Sequence, residues 1–246
     1  MTFNTFTRSA VLIMAGLMAT QAAHAAIALD RTRVIFNGAQ GAESLSITNQ
    51  NKTLPYLAQS WVENAEGQKI ESPLMALPPL QRLEPGSKSQ VKLQANGVSV
   101  LPQNRETLFY YNLREIPPKS NKPNTLQIAL QTRVKLFYRP AALAIKSGDI
   151  PQKKLTLTKS GDRYVVHNPT GYFITFVHAA PSEKSESVAG FKVDMVSPEG
   201  ELTLGGSAAA MGTHPVLTYI NDFGGRPKLI FSCSGNTCSV TDTRVG

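Results

Sequence analysis

Cys233 and Cys238 are the only two thiols in the chain, and the four residues SGNT separate them. Such a pair can close a hairpin disulfide or supply half of a tetrahedral metal site. Zinc would need two further ligands, and His167, His178 and His214 are scattered along the sequence. Catalytic signatures are absent: there is no GxxxxGKS/T, no HExxH, no GxSxG and no dinucleotide fingerprint. What remains is the chemistry of cations on β-like runs. Arg133, Lys135 and Arg139 share one parity of a single run, and Arg31 and Arg33 open an earlier one. Cations so placed suit either a solvated surface or a partner with exposed carboxylates.

The element that carries the first set is unusual. Thr125 to Arg139 reads as one long strand of about 45–50 Å. Its first half alternates, with Leu126, Ile128 and Leu130 on one parity and Gln127, Ala129 and Gln131 on the other. One end therefore presents an apolar row and the other a row of cations. In an ordinary sandwich the apolar row would be core.

The N-terminus reads as a secretory leader. Arg8 is the only charge before Asp30, the apolar run AVLIMAGLMA follows it, and Ala23-His24-Ala25 offers a small-x-small cleavage site. The run is too short to span a bilayer. Residues 1–25 are expected to be removed, leaving an exported chain that is not membrane-embedded. In that setting Cys233 and Cys238 read as a disulfide. The net charge is +8, but the longest basic run is only Lys153-Lys154. Nucleic-acid proteins concentrate charge on a face or helix, so no nucleic-acid partner is expected.

Short β-like runs recur, among them RVIFNG, SLSITNQN, YLAQSWVEN, QVKLQAN and LFYYNL in the first half. KLTLTKS, RYVVHNPT, YFITFVHA, FKVDMVSP, VLTYIND and KLIFSCS follow in the second. Turn signals between them and the lack of a sustained helical period predict an all-β protein of sandwich type. The remaining length suits two domains, with the boundary near Ala142–Ile150. The expected division is a first domain over residues 26–143 and a second over residues 149–246.

Six separated segments carry a family resemblance: LDRTRVIFNG, LPYLAQSWVEN, PPLQRLEPGSKSQVKL, the run from LPQNRETLFYYNLREIPP to LQIALQTRVKLFYRP, YINDFGGRP and FSCSGNTCSV. In their order they resemble the PapD-like periplasmic chaperones of the chaperone–usher pilus pathway. The resemblance implies two immunoglobulin-like sandwiches set around an interdomain cleft, in the periplasm, working without ATP, cofactor or metal. It implies that Leu126, Ile128 and Leu130 fill the open groove of a pilus subunit that lacks its last strand, a form of strand addition. It also implies that Arg33 and Lys135 grip the subunit's C-terminal carboxylate. Arg31 and Arg133 are nearby cations that sequence alone does not rank against that pair. Glu106, Arg139 and Asp222 match an interdomain ion network, and Leu57, Gln59 and Pro79 match a surface for the outer-membrane usher. The short connection PPKSNKPN places the chain with the chaperones of rod-like, adhesive pili. Self-capping of the empty protein stays open. The rival reading is a secreted immunoglobulin-like structural or adhesion module, which needs neither the paired cations nor the alternating strand.

Overall fold

The computed structural model describes residues 25–246, so the leader expected over residues 1–25 lies outside the described residues apart from its last position. Residues 27–139 form ten strands: β1 (Ile27–Leu29), β2 (Arg33–Asn37), β3 (Ala42–Asn49), β4 (Tyr56–Glu63), β5 (Lys69–Ile70), β6 (Leu74–Leu77), β7 (Leu80–Leu83), β8 (Lys88–Ala95), β9 (Thr107–Ile116) and β10 (Gln131–Arg139). One sheet has the order β1-β3-β8-β6 and the facing sheet β2-β10-β9-β4-β5, with β7 pairing on β4. Alternation makes the sandwich. On β3, Leu45 and Ile47 point inward while Ser44 and Ser46 do not. They meet Val34, Phe36, Val91, Leu93, Leu113, Leu136 and Tyr138 in one core.

The second unit has eight strands: β11 (Thr156–Ser160), β12 (Arg163–His167), β13 (Ile174–Ala180), β14 (Asp194–Val196), β15 (Glu201–Thr203), β16 (Val216–Tyr219), β17 (Lys228–Ser234) and β18 (Thr237–Arg244). They form one hydrogen-bonded path, β14-β13-β16-β17-β18-β11-β12-β15. Leu157, Val166, Phe176, Leu217, Leu229 and Phe231, from five of these strands, converge on a separate core, so the path folds over into a sandwich. Cys233 and Cys238 face each other across the β17–β18 ladder and are disulfide-bonded, with Cys238 wholly buried. Closing so short a loop contributes about 2 kcal/mol on a chain-entropy basis.

The long strand expected over Thr125–Arg139 needs correction. Pairing begins only at Gln131, and residues 125–130 belong to no ladder. The reason lies across the hairpin. β9 ends at Ile116, and Pro117 and Pro118 follow, whose ring nitrogens cannot donate to a neighbour. The last cross-hairpin backbone bond runs from Glu115 N to Leu130 O at 3.0 Å. The strand-free connection is therefore residues 117–130, longer than the PPKSNKPN segment expected to make it.

Candidate functional site

Arg33 opens β2 and Lys135 lies in the middle of β10, and the parallel ladder between these strands sets the two directly side by side. The parity of β10 explains how the cations reach the cleft. Val134, Leu136 and Tyr138 face the first core, which turns Lys135, Phe137 and Arg139 toward the second sandwich. Arg33 is nearly buried and donates from Nη1 to the Ile220 carbonyl at 3.1 Å. Its Nε is buried without a partner. Lys135 Nζ donates to Thr175 Oγ1 at 3.3 Å and approaches Met195 Sδ at 3.4 Å. Among the described residues neither cation forms an ion pair. Desolvation lowers the pKa of each, and the Arg33 charge lowers that of Lys135 further. Two partly desolvated neighbours of like sign, one of them with an orphaned donor, form a site suited to an anion.

The other two cations are already satisfied. Arg31 pairs with Asp30 at 2.9 Å and Glu43 at 2.8 Å. Arg133 pairs with Glu63 at 2.9 Å and stacks 3.4 Å from the centre of the Tyr110 ring. Geometry thus separates residues that the sequence left level.

Behind the free pair stands a buried ion network. Arg139 Nε donates to Glu106 Oε1 at 2.8 Å, while its two terminal nitrogens hold Asp222 in a fork at 2.6 and 2.8 Å. Glu106 Oε2 accepts from Phe173 N at 2.8 Å, and Glu106 N donates to Gly171 O at 2.8 Å. Burial pushes the Glu106 carboxyl up, opposed by the Arg139 charge. Burial alone would lower the Arg139 pKa, but hydrogen bonding to Asp222 and the two carboxylate charges hold it above its ordinary value. Glu106 and Arg139 belong to the first unit and Asp222 to the second, so the three residues rivet the cleft from behind. A glycine is required at 171, because a Cβ there would lie 2.7 Å from Asn104 O and 2.9 Å from Leu143 Cδ1.

Leu126, Ile128 and Leu130 lie outside both cores and are 84%, 63% and 40% exposed. They precede β10 on the same parity as Leu136 and Tyr138. Leu57 and Gln59 lie half-buried on β4, and Pro79 lies in the link between β6 and β7, where its carbonyl accepts from Ser60 N. The β4–β7 pairing places Gln59 opposite Leu80, so these three residues share one margin of the first sandwich. Sequence reasoning missed Thr175, Met195 and the Ile220 carbonyl as the second unit's lining of the cleft. None carries charge or a motif, and only the docking of the two sandwiches brings them near Lys135 and Arg33.

Among the described residues, no helix is long and apolar enough to cross a membrane, and no group of His, Cys, Asp and Glu could hold a metal ion. Residues 26–144 match the family model described as the pili and flagellar-assembly chaperone, PapD N-terminal domain, and residues 151–231 match that of the pili assembly chaperone PapD, C-terminal domain. The chain is 50% identical to the chaperone protein PapD of Escherichia coli over 226 residues, covering 91% of this chain and 93% of that protein. It is 48% identical to the probable fimbrial chaperone YfcS of Escherichia coli K12, covering 89% of this chain and 87% of that protein. Among solved structures, it resembles a chain of the Salmonella enterica SafA pilin in complex with the SafB chaperone. There the TM-score is 0.71 and the identity 26%, over 86% of this chain and 98% of that one.

Proposed function

The chain belongs to the PapD-type family of periplasmic pilus-assembly chaperones, and from that premise we propose how its residues capture a pilus subunit. It is a periplasmic chaperone that binds pilus subunits by strand complementation and delivers them to an outer-membrane usher. A passive secreted adhesion module, the rival reading, is set aside by that membership. The work is binding: the free energy comes from strand addition and charge pairing rather than from catalysis.

The proposed anchor sets the direction of capture along the sheet. β2 pairs with β10 only from Arg33↔Lys135 onward, while β9 flanks β10 from Gln131. Upstream of Lys135, one edge of β10 thus has no strand among the described residues. A subunit strand that fills this place with its C-terminal end at Arg33 and Lys135 runs in the direction of β2, parallel to β10. Its last residue then meets Arg33, and its carboxylate falls between Arg33 and Lys135. Leu126, Ile128 and Leu130 lie upstream on the same extended path, about 30 Å from Lys135 at their far end. Their side chains enter the subunit's open core while their backbone completes its sheet.

Burying three large aliphatic side chains contributes about 5–8 kcal/mol before ordering costs. The anchored carboxylate fixes the register, since a slip of one residue would turn the apolar row to the wrong face. In this scheme Leu57, Gln59 and Pro79 form the margin offered to the usher, and Glu106, Arg139 and Asp222 hold the cleft at its working angle.

The observation that carries this reading is the apolar row, exposed in the free chain and leading directly into the strand that carries Lys135. Leu130→Glu tests it by placing a charge where an apolar pocket must close. The variant should keep the wild-type cooperative melt and lose subunit capture in periplasmic co-purification. A variant that unfolds by itself would show the row to be core, and undiminished capture would show it to be idle.

A further inference from the structure

A cavity of about 470 Å³ opens beside Arg33, on the side where Phe223 stands, and is lined by the 30–33 segment, Ile35, Asp222 and Phe223. Its charges are nearly all spent. Asp30 and Arg31 neutralise each other, and Asp222 is gripped by Arg139. Only Arg33 faces it without a counter-ion, so a basic side chain is disfavoured there and an apolar one meets no unpaired acid.

The aromatic wall is built with care that the fold does not require. Phe223 is 97% exposed, yet its loop is held tightly. Asn221 Oδ1 accepts from Phe223 N at 3.0 Å and from Gly225 N at 2.8 Å, and the Asn221 carbonyl accepts from Gly224 N at 3.1 Å. The next residue, Asp222, is forked to Arg139. Gly224 has φ +84°, and a Cβ on it would lie 3.0 Å from Thr32 Oγ1, so the loop seats directly against the segment that carries Arg33. A large ring fixed in water at the mouth of a cleft has no packing role within this chain.

We propose that this cavity is a side-chain subsite for the C-terminal residue of the captured subunit, and that Phe223 selects an aromatic or large aliphatic side chain there. The inference rests on the carboxylate anchor described above, because a strand ending between Arg33 and Lys135 brings its last side chain to the cavity that Arg33 borders. Carboxylate and side chain are then read together. The Arg33–Lys135 pair recognises that a chain ends, and Phe223 recognises what it ends in.

Titration calorimetry on the full mature chain tests this with synthetic peptides that share a subunit's C-terminal strand and end in Phe, Leu, Ser or Lys. Each is made as the free acid and as the C-terminal amide. Burying one large apolar side chain corresponds to about tenfold or more in affinity. Acid peptides ending in Phe or Leu should therefore bind wild type at least about tenfold tighter than those ending in Ser or Lys. Phe223→Ser should flatten that ranking and Phe223→Leu should retain it, with the acid-over-amide preference kept in both. Retained acid preference without any ranking in wild type would overturn the subsite alone. A ranking that survives Phe223→Ser would place selection elsewhere and overturn it as well. Loss of the acid-over-amide preference in wild type would instead remove the anchor, and the subsite with it.

Discussion

Burial lowers the pKa of Lys135, and the adjacent Arg33 charge lowers it further, with Asp194 opposing weakly. In the unfolded chain the ammonium returns to its ordinary value of 10.5. Between the lowered folded value and 10.5 the unfolded state binds more protons, so stability rises with pH across that window. Below it the penalty is fully present. On the proposed function, a subunit carboxylate placed beside Lys135 would relieve this penalty. Lys135→Met should consequently melt a few degrees above wild type at neutral pH in differential scanning calorimetry. The gap should shrink as pH approaches 10.5. An unchanged or lowered melting point at neutral pH would mean that Lys135 is adequately solvated and stores nothing. Arg31 and Arg133 should show no comparable gain, because both already hold carboxylates. This difference among four cations was invisible in the sequence. Each stands in or beside a β-like run, and what separates them is the adjacent Asp30 with Glu43 on β3 for Arg31, and Glu63 on β4 for Arg133.

At the scale of elements, the clearest sequence signals were the strands with strict alternation. RVIFN, SLSITN, YLAQSWVE and LFYYNL all appear as strands β2, β3, β4 and β9, because one face of each packs on a single core. The short edge strand β1 and the polar β18 give no such signal, since three residues are too few for a period and most of β18 faces water. The extent of β10 was overestimated for an instructive reason. Periodicity reports which face of a segment is apolar, not whether a neighbour is present to pair with it. Leu126, Ile128 and Leu130 have the pattern of a strand and lack the ladder. The junction between the units offers a test at the same scale. Gly171→Ala puts a methyl into the Asn104–Leu143 contact, which must then yield by several tenths of an ångström. The 2.8 Å bond from Glu106 N to Gly171 O, which that shift would strain, is worth about 1 kcal/mol. Small-angle scattering should report a more open pair of sandwiches, and subunit capture should fall while both cores stay folded. An unchanged scattering profile with full capture would show that the angle does not depend on this contact.

Across the whole molecule, the cleft is a product of two domains that share little chain. Arg33, Lys135 and Arg139 come from the first sandwich, and Ile220, Thr175 and Asp222 from the second. The likeness to a known family points to Arg33 and Lys135 in the sequence itself. Composition and spacing alone do not, because the two lie a hundred residues apart and meet only through the parallel β2–β10 ladder. The orphaned Arg33 Nε and the desolvation of both cations could be read only once the second sandwich was in place. The central claim is that this pair anchors a chain terminus. It is tested most directly by titration calorimetry of a subunit's C-terminal peptide, as free acid and as amide, against wild type, Arg33→Ala, Lys135→Ala and the double variant. Truncating one partner of a desolvated charge contact costs about 2–5 kcal/mol, or roughly one and a half to three and a half orders of magnitude in affinity. The account predicts that each single variant binds the acid about as poorly as wild type binds the amide. The double variant should be little worse than either, because both cations share one anion. Equal affinity of wild type for acid and amide would contradict it.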